Sequence, residues 1–475
     1  MQKTLRKYIG DRPFYRMVMA VAIPIMVQNG ITQFVALLDN IMVGAVGETQ
    51  MGGVGVANQL VFVFNLTIFG AVSGAGIFGA QFFGKGDHEG VRSAFRFKLM
   101  ICAVLAILGC TVFLTLDETL IRAYLQGEGT VQERADTLRY AKEYLHIMLI
   151  GLVPFVICQC YAGTLRESGQ TIVPMVAGIV SVAVNLIFNT ILIFGYLGAP
   201  ALGSAGAAIA TVIARFTEAA IVVIWTHKNT KKCPFVVGLY RSMRIEKRLA
   251  WRIGKKTLPL MINETLWAGG MALLSMAYSL CGLIVVPANT IASTVSNVFN
   301  VAFLAMGSAV GIIVGQLLGA DKLEEAVDTD RKLIVFSVAI CFVIGGIMAL
   351  LSPYIPNLYT AQPADVRALA SKFIMIIAFV MPINSLANAC YFTMRSGGKT
   401  LITFLFDSVY VCLFVVPLAF FLYGVVGLSI VPLFLICQIA DIGKCVIGLI
   451  LIKKGVWIQN IVKETNDEHE ILPGA

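Results

Sequence analysis

Twelve mainly apolar stretches, each about 20 residues or longer, follow one another along this chain with only short polar segments between them, and little else can be built from such a pattern. Inside a bilayer no water is available to the backbone, so each amide must find its partner within its own segment, and the α-helix does this. Spans are predicted at 16–46, 52–83, 93–116, 137–163, 171–196, 203–226, 250–281, 286–319, 331–352, 367–394, 399–423 and 426–452. No long soluble domain fits between them. The fold class expected is an all-α integral membrane protein.

Composition supports this solvent. Hydrophobic residues make up 58% and charged residues 13%, about half the charged share of an ordinary soluble domain. The net charge of +9 is not a nucleic-acid footprint, because 28 of the 36 Lys and Arg fall in alternate polar segments. Lys3, Arg6, Lys7 and Arg12 open the chain; Lys85, Arg92, Arg96 and Lys98 follow span 2; and ten basic residues lie between His227 and Lys256. The intervening segments carry Glu48, the mixed run from Asp117 to Glu143, and the uncharged run from Gly195 to Gly203. The positive-inside rule then puts both termini in the cytoplasm. Met1 to Arg16 is polar and basic, and no small-residue cleavage site closes the first apolar run, so that run is expected to remain as helix 1. The eleven cysteines show no CxxC spacing and read as buried free thiols.

The chain repeats itself. At an offset of 235 residues Pro24 meets Pro259, Met26 meets Met261, Gly47 meets Gly282, and Phe64-Asn65 meets Phe299-Asn300. Gly76-Ile77 meets Gly311-Ile312, and Gln81 with Gly84 meets Gln316 with Gly319. Arg166-Glu-Ser-Gly-Gln-Thr171 is also similar to Arg395-Ser-Gly-Gly-Lys-Thr400. Six helices is an even number, so the halves enter from the same side and are related by a pseudo-twofold axis along the membrane normal. The organisation expected is an N-terminal lobe at 1–226, a basic cytoplasmic linker at 227–249, a C-terminal lobe at 250–455 and a polar tail at 456–475. No GxxxxGK[ST] or other ATPase signature is present, so work must come from an ion gradient. That points to a secondary transporter with no cofactor beyond H⁺ or Na⁺ as the coupling ion.

Charge at membrane depth is costly and marks function. Seven such residues are predicted: Asp39, Arg215, Glu218, Glu264, Asp407, Asp441 and Lys444. Arg215 with Glu218, and Asp441 with Lys444, are three apart and can neutralise each other within one helix. Asp39, Glu264 and Asp407 read as unpaired. Asp39 has no basic residue within a turn, and a lone carboxylate that switches between charged and neutral is what proton coupling needs. Asn185 and Asn189 share one face of helix 5 and can either hydrogen-bond Asp39 or supply oxygens to Na⁺; equally, they can serve as helix–helix glue. Glu264 and Asp407 also read as helix-end capping or polar packing. Phe62, Phe64, Phe69, Phe78, Met276 and Tyr278 suggest an adaptable apolar lining, or core and lipid contact. Four histidines, two of them (His227 and His469) in polar segments, leave a metal centre or a nucleophile triad unsupported, and no enzyme is expected.

With these motifs in hand, the chain resembles the MATE family, the multidrug and toxic compound extrusion transporters, over about residues 14–455. The resemblance rests on Pro24, Leu38-Asp39-Asn40 with Val43-Gly44, Gln81-Phe-Phe-Gly84, the Arg166 and Arg395 turns, and Asn185 with Asn189 before Ile193-Phe-Gly195. It implies a MATE-like V-shaped pair of six-helix lobes that exports amphipathic drugs and organic cations against inward H⁺ or Na⁺. It also implies a bacterial inner-membrane location and contact with membrane lipid; a monomer is the default expectation. By the same resemblance Asp39 is the coupling acid, Asn185, Asn189 and Thr211 complete its site, and Pro24 is the hinge of helix 1. Glu264 and Asn384 fall on the second-lobe acid positions of the NorM-like branch; Asn384 breaks that pattern, and Asp407 on helix 11 is no simple replacement. The runner-up function is a lipid-linked saccharide or lipid flippase. A membrane-embedded enzyme and a channel are weaker readings.

Overall fold

The computed structural model describes residues 7–124, 130–359 and 362–463. Lys3, Arg6, His469, the tail beyond Lys463, and the side chains of Leu38, Asn40 and Glu48 lie outside the described residues. Helices account for nearly everything else, and no strand occurs among the described residues. The N-terminal lobe holds α1 (Arg12–Gly44), α2 (Glu48–Lys85), α3 (His88–Thr115), the short α4 (Asp117–Tyr124), α5 (Val131–Ile150), α6 (Leu152–Glu167), α7 (Ile172–Phe194) and α8 (Ser204–Lys228). The C-terminal lobe holds α9 (Lys247–Ser279), α10 (Val285–Gly319), α11 (Leu323–Leu351), α12 (Ala364–Ser396), α13 (Thr400–Gly424) and α14 (Ile430–Lys453).

Ten of these helices are long and apolar enough to cross a bilayer. An eleventh span is α5 with α6, which meet at a 48° bend. That is the expected span at 137–163, broken at Gly151. The twelfth is α9, a continuous helix of 33 residues whose first turns carry Lys247, Arg248, Arg252, Lys255 and Lys256. Beyond those charges, Asn263 and Glu264 in the apolar stretch keep it out of the apolar count. Helix starts follow local chemistry: Asp87 caps α3 by accepting from the Gly90 amide at 2.8 Å, and Thr130 with Glu133 forms a capping box at α5.

The loops richest in Lys and Arg converge on one end of the molecule, here termed the basic face. Arg92 and Arg96 of α3 donate to the linker carbonyls of Phe235 and Leu239 at 3.0 and 3.1 Å, so the linker is folded against its own lobe. Cys233 is buried in that linker, and burial pushes its thiol up to about 11. All eleven cysteines are free, as expected.

The lobes meet at the basic face through the repeated Gln-x-x-Gly motif. A Cβ on Gly84 would lie 1.9 Å from the Gln316 carbonyl oxygen, and one on Gly319 would lie 1.9 Å from that of Gln81. Only glycine lets α2 and α10 cross this closely. The glutamines add a crossed pair of bonds. Gln81 Nε2 donates to the Ser396 carbonyl of the opposite lobe at 2.9 Å, and Gln316 Nε2 donates to the Glu167 carbonyl at 2.7 Å. Each closes a helix-end carbonyl that α12 or α6 leaves free.

The segment after α14 is not a loose polar tail as far as Lys463. Trp457 is buried against Gly397, and the Ile461 amide donates to Gln81 Oε1 at 2.8 Å. Lys85 reaches the Val462 carbonyl, Arg252 the Ile461 carbonyl, and Lys463 pairs with Asp321 at 2.9 Å. This strap touches both lobes.

Candidate functional site

In the N-terminal lobe α1, α7 and α8 bring the predicted residues together. Asn189 Nδ2 donates to Asp39 Oδ1 at 2.5 Å and to Asn185 Oδ1 at 3.1 Å. Asn185 Nδ2 in turn donates to Thr211 Oγ1 at 3.3 Å. The four-residue spacing of the two amides places both on the α7 face turned to α1 and α8. Asn189 is fully buried, and its Oδ1 has no partner. No basic side chain pairs with Asp39 among the described residues. The group thus has one carboxylate, a donor already engaged on it, and a free amide oxygen beside it. Tyr144 of α5, within electrostatic range of Asp39, donates to Asn58 at 3.3 Å and was not anticipated. Nothing separates it from the other tyrosines in the sequence.

Pro24 sits inside α1, which runs on through it. Proline has no amide hydrogen, so the carbonyl one turn back, Ala20, lacks its helical donor. The Thr171 hydroxyl supplies one at 3.0 Å.

The C-terminal lobe is arranged differently. Asp407 was expected to be unpaired; instead its Oδ1 meets Lys444 Nζ at 3.1 Å, and its Oδ2 accepts from Asn263 at 3.2 Å. The reason is local geometry. The α13 backbone widens into π-helical turns at Leu405–Val409 and Val411–Val415, which re-aims Asp407 toward α9 and α14. Ser408 Oγ bonds both the carbonyl and the side chain of Asn263 at 2.6 Å, fixing that turn. Asp441 is the second, longer partner of Lys444 at 3.5 Å. Glu264 forms no ion pair among the described residues. Asn384 leaves its Oδ1 buried and unpartnered. No hydrogen bond links Glu264, Asn384 and Asp407 into one site. Arg215 and Glu218 do not pair either: Arg215 donates to the Gly151 carbonyl at 3.4 Å and stacks over Phe155.

Six buried charges, Arg96, Lys98, Asp117, Glu167, Asp330 and Arg395, are absent from the membrane-depth set expected from sequence, because they lie near or beyond the ends of the predicted spans. Lys98, fully buried, holds both oxygens of Glu167 at 2.6 and 2.7 Å and also Thr164 at 3.0 Å. Gly76 and Gly79 of α2 make room for that carboxylate, which side chains there would strike. Asp330, 1% exposed, has only Thr393 at 2.6 Å, and Arg395 is 7% exposed. Between the lobes lies an open cavity of about 110 Å³, walled by α2, α6, α10 and α12. Of the aromatic and Met residues named above, only Phe69 lines it; Phe64, Phe78 and Tyr278 are core.

Twin helical lobes, an inter-lobe cavity and a buried polar group define a multi-pass membrane protein built like a transporter. The MatE family model matches residues 24–191 and 259–421, two segments whose starts are separated by the 235-residue offset of the internal repeat. The chain belongs to the MATE family. Over 445 residues it is 24% identical to a protein of Thermotoga maritima described as "Probable multidrug resistance protein NorM", covering 93% of each. A protein of the same description from Synechocystis sp. is 27% identical over 320 residues, 66% of each chain. Among solved structures, MATE in the straight conformation superposes with a TM-score of 0.84 at 17% identity, covering 95% of this chain and 97% of that one. MATE in the bent conformation gives 0.81 at 19% identity, covering 94% and 97%.

Proposed function

We propose that the chain exports amphipathic and cationic organic compounds from a bacterial cytoplasm by alternating-access antiport with H⁺ or Na⁺, with Asp39 as the coupling group. The observation that carries this is the 2.5 Å contact from Asn189 to Asp39, which ties α1 to α7 through a single carboxylate. Protonation of Asp39 removes the negative acceptor and weakens that charge-assisted bond. A bound Na⁺ would instead take the carboxylate and the free Asn189 oxygen as hard ligands. Either event changes how α1 sits on α7. A proton needs only Asp39, and Asn185 and Thr211 then keep Asn189 oriented.

In this reading the basic face is cytoplasmic, both termini lie inside, and the closed Gln-x-x-Gly seam belongs to the state shut to the cytoplasm. Ion and substrate exclude one another only if each prefers a different lobe arrangement. Lys444 already neutralises Asp407, so the second lobe contributes packing, with Glu264 and Asn384 bordering it, rather than a second ion site. The rival reading, a lipid-linked saccharide or lipid flippase, draws on the two arginines at the cavity.

The test uses purified protein in liposomes loaded with a fluorescent organic cation, under separate H⁺ and Na⁺ gradients. Efflux driven by one gradient and lost in Asp39→Asn is expected. Gradient-driven efflux that persists in a folded Asp39→Asn variant would remove Asp39 from the mechanism, and no response to either gradient would favour the flippase.

A further inference from the structure

The cavity between the lobes carries a charge pattern that a site for cations alone does not need. Its lining repeats across the pseudo-twofold axis: Ser73 answers Ser308, Gly76 answers Gly311, and Ile77 answers Ile312. Arg166 at the end of α6 answers Arg395 at the end of α12, so each lobe sends one guanidinium to the same space. The only other charged residue of the lining is Glu167, and Lys98 engages both of its oxygens. No carboxylate among the described residues lies within 4.0 Å of either guanidinium.

Each guanidinium has one nitrogen without an acceptor, and its acidic neighbours outside the lining, Glu218 for Arg166 and Glu264 for Arg395, act only beyond ion-pair distance. Arg166 Nη2 donates to Gln28 at 2.6 Å, yet its Nε is buried without a partner. Arg395 is packed between the rings of Phe69 and Phe392, at 5.9 and 5.2 Å, and its Nη1 is buried without a partner. A guanidinium that lacks a direct ion pair is costly out of water, and an oxyanion is the complement of its planar fork. The rest of the wall, including Phe69, Val72, Ile77 and Ile312, is apolar.

We propose that this cavity binds the anionic group of an amphipathic molecule, a carboxylate or phosphate gripped by Arg166 and Arg395 together, with its hydrocarbon part along the apolar wall. Because the arginines come from different lobes, such an anion bridges them and favours the arrangement in which both face one cavity. The meaning for transport rests on the export reading, but binding does not. It is measured at equilibrium without a gradient, so either idea can fail while the other stands.

The probe is dansyl-undecanoic acid, with its methyl ester as the uncharged control, titrated against the full-length protein in phosphatidylcholine nanodiscs. The acid is expected to bind saturably and the ester about tenfold more weakly or worse, the loss of a charge-assisted contact. Arg166→Gln and Arg395→Gln should each weaken the acid by a similar factor and leave the ester unchanged; Arg→Lys variants, which keep the charge without the fork, should fall between. Equal binding of acid and ester by the unaltered protein would overturn the proposal whether or not any variant folds. So would unchanged acid binding in folded glutamine variants. Replacing part of the lipid by phosphatidylglycerol identifies the source: competition points to an anionic lipid, and undiminished acid binding points to a small-molecule amphiphile.

Discussion

The Thr171 hydroxyl donates to the Ala20 carbonyl at 3.0 Å, the acceptor that Pro24 leaves open in α1. A side chain at the start of α7 therefore completes the backbone of α1 at its weakest point, on the same pair of helices that Asp39 and Asn189 join deeper in the membrane.

This relationship gives a double-mutant test. Thr171→Val removes the donor and should cost about 1 kcal/mol of stability. In a Pro24→Ala background the new amide hydrogen at position 24 takes over the Ala20 carbonyl, and the same Thr171→Val change should cost close to nothing. Reversible unfolding in mixed micelles measures both; equal costs in the two backgrounds would show that the contact is incidental.

In the second lobe, Lys444→Met strands Asp407 with Asn263 as its remaining neutral donor. Lys444 is 7% and Asp407 23% exposed at the side chain, so the loss should be about 2 kcal/mol, below the figure for a fully dry pair. Adding Asp407→Asn to Lys444→Met removes the nearer of the two stranded carboxylates, with Asp441 left as the other former partner of Lys444, and should recover part of the loss. If thermal melts show the double variant to be worse than the single, Asp407 is held by something other than Lys444.

The seam at the basic face should open when either crossing glycine gains a side chain. Gly84→Ala and Gly319→Ala each put a methyl group about where a backbone carbonyl now sits. Spin labels at His88→Cys and Lys322→Cys, on a background lacking the partly exposed Cys110, Cys281 and Cys412, should report longer and broader distances in both variants. An unchanged distribution would place the seal elsewhere, in the strap or the crossed glutamines.

Asp117, between α3 and α5, offers a pH test away from the membrane interior. Burial pushes its carboxyl up, but hydrogen bonds from the Glu118 amide, Lys142 and His146 outweigh that and hold it below the ordinary carboxylate range. A lowered carboxyl stabilises the folded state above its unfolded value of about 4, and that stabilisation disappears as pH falls through the lower, folded value. The melting temperature should therefore exceed that of Asp117→Asn at pH 6, and the gap should close below about pH 4. A gap that persists in acid would mean the ion contacts contribute nothing.

The parts of the molecule governed by long-range pattern were readable from sequence. Helix positions follow from apolar length, and the 235-residue repeat is carried by Pro, Asn, Gln and paired Gly, residues that composition alone would not align. Asp39, Asn185 and Asn189 were readable because a carboxylate and two amides at one helical face have few uses in lipid. Asp407 was misread because a π-turn rotates a side chain without leaving a sequence mark, so Lys444 came into reach unforeseen. Lys98, Glu167, Asp330 and Arg395 were missed for a simpler reason. A charge near a span end looks solvated until the neighbouring helices that cover it are known, and nothing local in the sequence says which helices those are.

The strap from Trp457 to Lys463 sets an order of events during synthesis. Every residue it grips, from Gln81 to Gly397, has been translated and can already be inserted before the strap leaves the ribosome. The clasp between the lobes therefore forms last. Until then the two inserted bundles are held together at the basic face by the Gln-x-x-Gly seam alone, and a chain cut or fused just before Trp457 would keep that looser hold for its lifetime.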